Sequence, residues 1–227
     1  MKLSLRAEIP QIALIAAMFV LAAWAWPRLP AQIPTHWNLQ GKVDGHGNKL
    51  VGLLVLPLTV LGVYFLMMLL PLFDPGRANY GNFARTYNVL RLGFVAFMSV
   101  LYGATVAAAF GRSIDMILVA FLGTAILFFV IGNLMGKIRP NWFVGIRTPW
   151  TLSSKQSWDK THRLASWLFL FMGALFAVVA FIHNTWTLAA MIAIDALCLA
   201  WIVVYSYLVF RSDPHPMPPA GTSPSTD

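Results

Sequence analysis

"LASWLFLFMGALFAVVAFI", residues 164–182, runs its whole length without a charged side chain. Crossing the hydrocarbon core of a bilayer takes about 20 such residues in a helix. A backbone in lipid must bond within its own segment, and strands manage this only in a closed barrel. Five further stretches repeat the pattern, at 9–26, 51–73, 89–110, 114–135 and 186–210. Their apolar content is continuous rather than alternating, which points to helices and away from a barrel.

Composition agrees. Of 227 residues, 59% are hydrophobic and 11% are charged, with a mean hydropathy of +0.70. A soluble domain is about one quarter charged. The expected fold is an all-α integral membrane protein of six transmembrane helices, a single domain over residues 1–211. The stretch 212–227, "SDPHPMPPAGTSPSTD", is rich in Pro, Ser and Thr and reads as a disordered tail. The single cysteine, Cys198, lies in an apolar run, so no disulfide framework exists.

The first span follows Lys2 and Arg6 and resembles a signal peptide in outline. Its exit, Trp24-Ala25-Trp26-Pro27-Arg28, lacks the small-x-small cleavage pattern, so it reads as a retained anchor. Six spans put both termini on one side. That side collects twelve basic residues, six of them between Lys137 and Arg163; the other holds Arg28, Lys42, Lys49 and Arg112. The asymmetry places both termini in the cytoplasm. The net charge of +8 is then spent on orientation rather than on nucleic acid.

Two loops are long: 27–50 outside and 136–163 in the cytoplasm. Each follows the first helix of a three-helix half. An odd number of helices per half puts equivalent loops on opposite faces, as in 3+3 inverted repeats. The outer loop carries Pro27, Pro30 and Pro34, which oppose helix, and Gly41, Gly45 and Gly47, which allow turns. Among them stand His36, Asn38, Asp44 and His46. One reading is a metal site; a second is side chains bonding the loop's own backbone; a third is a docking surface for an external peptide. The spacing matches no standard ligand pattern, and neither metal nor cofactor is expected.

In the inner loop, Gly136 and Pro140 stop the preceding helix after Asn133. Trp142 and Phe143 suit the headgroup interface. Ser153 and Gln156 stand at capping-box spacing, which predicts a short amphipathic helix over 154–163, with Asp159 paired to Arg163. That helix would lie in the membrane plane before turning into the span at 164–182.

The stretch "GNLMGKIRPNWFVGIRTPWTLSSKQSWDKTHR" resembles the signature of the SdpI family, membrane proteins named for immunity to a secreted bacterial peptide toxin. The likeness is carried by Asn133, Met135, Gly136, Lys137, Pro140, Asn141, Gly145, Ile146, Arg147, Thr148, Pro149, Trp150, Thr151, Leu152, Trp158, Thr161 and His162. The outer loop resembles an uncharacterised amino-terminal domain that accompanies it, at Pro34, His36, Asn38, Gly41, Asp44 and Lys49. That pattern often has an aromatic two residues after the Asp, where this chain has His46. The resemblance implies a multi-pass protein of the bacterial plasma membrane. It also implies immunity to, or sensing of, a peptide toxin outside and the docking of a small transcriptional repressor inside. It carries no catalytic residues.

Asp195 lies inside the last span, where a charge is costly and faces a bundle interior or a cavity. It reads as an ion site or latch, or as a buried hydrogen bond to a neighbouring helix. Pro57, inside the second span, kinks it and frees a carbonyl for inter-helix contact. Two other functions stay open: a small transporter or channel using Asp195, and a metal-dependent membrane enzyme. No HExxH, GxSxG or P-loop pattern supports the second.

Overall fold

A computed structural model describes residues 5–182 and 184–218. Six long helices carry the chain: α1 (Leu5–Ala25), α2 (Lys49–Phe73), α3 (Tyr80–Ala109), α4 (Met116–Met135), α6 (Lys155–Val179) and α7 (Thr185–Arg211), with α5 (Pro149–Ser153) a single short turn. All six are long and apolar enough to cross a membrane.

The fold is not all-α. The loop after α1 forms an antiparallel hairpin of β1 (Gln32–Trp37) and β2 (Val43–Asn48). Its prolines and glycines exclude a helix, and strand pairing satisfies the backbone instead. Pro27 opens a 3-10 turn over Trp26–Arg28 rather than breaking one. Ile33 pins the register: its side chain is fully buried among Ala25, Leu29 and Leu53. A slip of one residue would turn it outward.

The core has two centres. One joins α1, α2, α3 and the hairpin, around Met18, Leu53, Val95 and Tyr102. The other lies at the opposite end, where Tyr80, Tyr87, Met135, Trp158 and Ile202 meet. In the first triplet, α1, α2 and α3 each touch the other two; in the second, α6 stands between α4 and α7, and α3 against α4 joins the sets.

The α2–α3 contact shows what the prolines of α2 do. Pro57 has no N–H, so the carbonyl of Leu53 loses its helical donor; Tyr102 of α3 supplies one, with Oη donating at 3.0 Å. Pro71 frees the carbonyl of Met67 in the same way, and Tyr87 Oη donates to it. Two prolines on one helix thus meet two tyrosines on the next, near either end of the bundle.

The segment 155–182 is one helix as far as Val179, not a planar helix followed by a span. Nothing at Arg163 breaks the backbone bonding, and Trp158, His162 and Ala165 bury one continuous face. The cap falls one residue later than the sequence pattern suggests: Ser154 Oγ accepts from the Ser157 N–H at 3.0 Å. Asp159 pairs with Lys155, at 2.7 Å, rather than with Arg163.

Candidate functional site

The two motif loops lie at opposite ends of the bundle. At one end, the hairpin turn faces the adjoining ends of α4, α6 and α7. His36 Nδ1 and Asp44 Oδ1 meet across the strands at 2.5 Å. Asn38 Oδ1 accepts from the N–H groups of Gln40 and Lys42, both at 3.0 Å, and Gly41 turns the chain at φ 73°. Pro34 lies opposite His46 in the register. Lys49 Nζ donates to the carbonyls of Trp26 and Leu29 at 3.2 and 3.4 Å and sits over the Trp26 ring, tying the two feet of the hairpin together. These six motif residues therefore build the hairpin. Between its turn and the helix ends lies a cleft of about 330 Å³, walled by Trp37, Leu39, Ile117, Phe121, Ile182 and Leu188. Leu39, at the tip, is 59% exposed.

At the other end the motif closes on itself. Asn141, fully buried, accepts from the N–H groups of Phe143 and Val144 and donates to the carbonyls of Arg139 and Val144. Pro140 takes its place through its carbonyl, which accepts from Asn79 Nδ2 at 2.8 Å. His162 stacks on Trp158 with ring centroids 4.1 Å apart. Its Nε2 accepts from the Ile146 N–H at 3.1 Å, which puts the ring proton on Nδ1, facing the Trp158 carbonyl at 2.8 Å. Trp158 Nε1 donates to the Ile138 carbonyl at 3.2 Å. Gly145 passes His162 at φ 102°, so close that a Cβ there would lie 2.5 Å from Nε2. Thr148 caps α5 in a reciprocal box with Thr151 and meets Ser206 of α7 at 3.0 Å. Trp150 lies against Tyr207, 5.2 Å between centroids.

Three predicted residues stand apart from this knot. Asn133 is exposed and, among the described residues, bonds back to the Phe129 carbonyl; Lys137 is exposed; Arg147 is exposed and donates to the Trp142 carbonyl at 2.8 Å. Trp142 and Phe143 are exposed beside it.

Several partners were invisible in the motif itself. Asp74, buried after α2, accepts from the Gly76 N–H, from Tyr80 Oη at 2.8 Å and from the Trp142 N–H at 3.1 Å. The signal for it was an Asp directly before Pro75-Gly76, at the end of an apolar run. The segment after α7 crosses the start of α6: Asp213 accepts from Ser154 Oγ at 2.6 Å, and the Met217 carbonyl accepts from the Lys155 N–H at 3.2 Å. The remainder of the predicted tail, 219–227, lies outside the described residues.

Intramembrane charge is concentrated away from Asp195. Glu8 of α1 and Arg91 of α3, both buried, pair at 2.5 Å. Tyr64 Oη donates to Glu8 at 2.8 Å, and Asn88 Oδ1 accepts from Gln11 and Arg91 at 2.6 and 3.0 Å. Arg91 also lies over the rings of Tyr64 and Tyr87. Asp195 has a buried Oδ1 with no hydrogen-bond partner among the described residues. Among those residues, too, no three His, Cys, Asp or Glu side chains are grouped to hold a metal.

Comparison with known proteins agrees with this layout. The SdpI/YfhL protein family matches residues 137–206, and a domain of unknown function, DUF1648, matches residues 13–61. The immunity protein SdpI of Bacillus subtilis (strain 168) is 24% identical over 207 residues, covering 91% of this chain and 97% of that protein. No solved structure matches the chain. With six membrane-length helices, a DUF1648 match around the hairpin and an SdpI/YfhL match that starts in the buried motif and runs through α6 into α7, the chain is similar to the SdpI/YfhL protein family and fits a multi-pass protein of the bacterial plasma membrane.

Proposed function

We propose that this chain protects its cell against a secreted antimicrobial peptide, holding an apolar part of the peptide in the cleft beneath the hairpin turn. The hairpin then faces outward and both termini lie in the cytoplasm. The excess of basic residues at the motif end supports that orientation. Arg91 leaves this count, since it is buried against Glu8, and the asymmetry stands without it. The 3+3 layout enters as a division of labour: the α1–α3 triplet presents the hairpin, and the α4, α6, α7 triplet completes the cleft and carries the cytoplasmic face.

The observation that carries the reading is the cleft. Its walls are mostly apolar side chains from the hairpin, α4, α7 and the end of α6, with Leu39 exposed at the rim. About 330 Å³ suits a few apolar side chains, and His36, Asp44, Asn38, Gly41, Pro34 and Lys49 hold the turn that forms its lip. On the cytoplasmic side, Arg147, Trp142 and Phe143 form an exposed basic and aromatic face fit to dock an acidic or amphipathic regulator, with Pro140, Asn141, Gly145, Thr148, Trp150, Trp158 and His162 as its scaffold.

The test is survival of a sensitive bacterium challenged with the cognate peptide. Leu39→Glu and Ile117→Glu are expected to lose protection while Arg147→Ala keeps it; protection unchanged in both cleft variants would end the reading. Cysteine labelling of intact cells checks the topology: position 39 is expected to react from outside and position 147 only after permeabilisation. A second reading, transport, rests on the unpartnered oxygen of Asp195. It requires a proteoliposome ion flux that Asp195→Asn abolishes.

A further inference from the structure

Lys160 and Arg163 are exposed cations on α6 with no hydrogen bond or ion pair among the described residues. The neighbouring Lys155 differs, being paired with Asp159. Lys160, Arg163 and Trp167 are spaced i, i+3 and i+7, so they share one helix face. They converge with Leu164 and with Tyr205 of α7 on a groove of about 370 Å³. Trp167 is 71% exposed.

The vertical spacing fits one leaflet of a bilayer. From Arg163 to Trp167 the helix rises about 6 Å. The headgroup layer of a leaflet is about 5–8 Å thick. With Trp167 at the acyl boundary, where indoles settle, the two cations lie at the level of lipid phosphate. Beside them the groove is apolar and aromatic, lined by Leu164 and Trp167 of α6 and Tyr205 of α7. A soluble acidic protein would meet the cations but not this floor.

We propose that the groove between α6 and α7 binds one anionic phospholipid, its phosphate held by Lys160 and Arg163 and its upper acyl chain lying along Leu164, Trp167 and Tyr205. The site does not depend on the immunity reading, nor on which compartment its end of the bundle faces.

Native mass spectrometry of the full chain in mild detergent tests this, with phosphatidylglycerol and phosphatidylcholine of matched acyl chains as probes. The wild-type chain is expected to retain phosphatidylglycerol in preference. Each basic residue near an anionic headgroup contributes about five-fold, so Lys160→Gln with Arg163→Gln is expected to cut the preference about 25-fold. Lys155→Gln is expected to leave it unchanged. Trp167→Leu is a second, uncharged arm, expected to weaken retention of the bound lipid two- to three-fold. Three results overturn the proposal: no preference in the wild-type chain, a preference kept in the double variant, or displacement of the lipid by millimolar inorganic phosphate, which would mark a site for soluble anions.

Discussion

The hairpin end and the motif end of this bundle use their polar motif residues in opposite ways. At the hairpin end the ion pair of His36 and Asp44 is largely solvated, with side chains 71% and 41% exposed, and such a pair is worth about 0–1 kcal/mol. At the motif end Asn141, Thr148, Thr151, Trp158 and His162 are buried, and their hydrogen bonds are made almost entirely to nearby backbone. The hairpin is a peripheral device whose one fully buried side chain is Ile33. The motif is part of the core. A dense signature at a membrane boundary therefore specifies architecture, and exposed apolar surface is left to less patterned residues such as Leu39 and Phe143.

The largest expected effect extends the buried end of that contrast into the bilayer. Arg91→Ala leaves Glu8 buried and unpaired, which costs about 3–5 kcal/mol. Steric-trap unfolding in bicelles would measure it. A cost below about 1 kcal/mol, the scale of a solvated pair, would mean that Glu8 reaches water and that the buried network stops at Tyr87.

A matched pair of glycines then compares the two ends directly. Gly41→Ala and Gly145→Ala both place a side chain at positive φ, at about 1–2 kcal/mol each. At Gly41 the new methyl would be 3.8 Å from Ile117, in ordinary contact; at Gly145 it would strike His162. Displacing that ring leaves the Ile146 N–H unpaired, for about 1–3 kcal/mol more. Equal melting shifts in the two variants would erase the distinction.

The smallest effect lies in the α2–α3 contact, which has one tyrosine near each end. Tyr102→Phe and Tyr87→Phe are each expected to cost about 0.6 kcal/mol, the usual worth of an inter-helix hydrogen bond in lipid. The cost of Tyr102→Phe should shrink in a Pro57→Ala background, because the substituted alanine restores a helical donor to the Leu53 carbonyl. A double-mutant cycle with no coupling would show that Tyr102 packs there without supporting the proline.

Much of this was legible along the chain. The spans follow from composition. Gly136 ends α4 as its position suggested, and the free carbonyl expected above Pro57 is there with its partner. The hairpin was not legible, since its prolines and glycines suit irregular loops as well as strands, and only the burial of Ile33 decides between them. The continuous α6 was missed for a related reason. A polar first half and an apolar second half suggest two elements, yet Trp158 and His162 bury one stripe along both. The Glu8–Arg91 pair lies 83 positions apart, beyond the reach of any local pattern.

Lipid as solvent made the number and extent of the helices a local property, because each segment must satisfy its own backbone and present apolar atoms outward. For that reason residues alone determined six spans and two long loops. Which helix faces which is set by packing across the bundle. Only the tertiary structure placed the family motif inside the core, paired the prolines of α2 with the tyrosines of α3, and moved the intramembrane charge from Asp195 to Glu8 and Arg91. Those outcomes rest on contacts between distant segments, and no stretch of sequence contains both halves of such a contact.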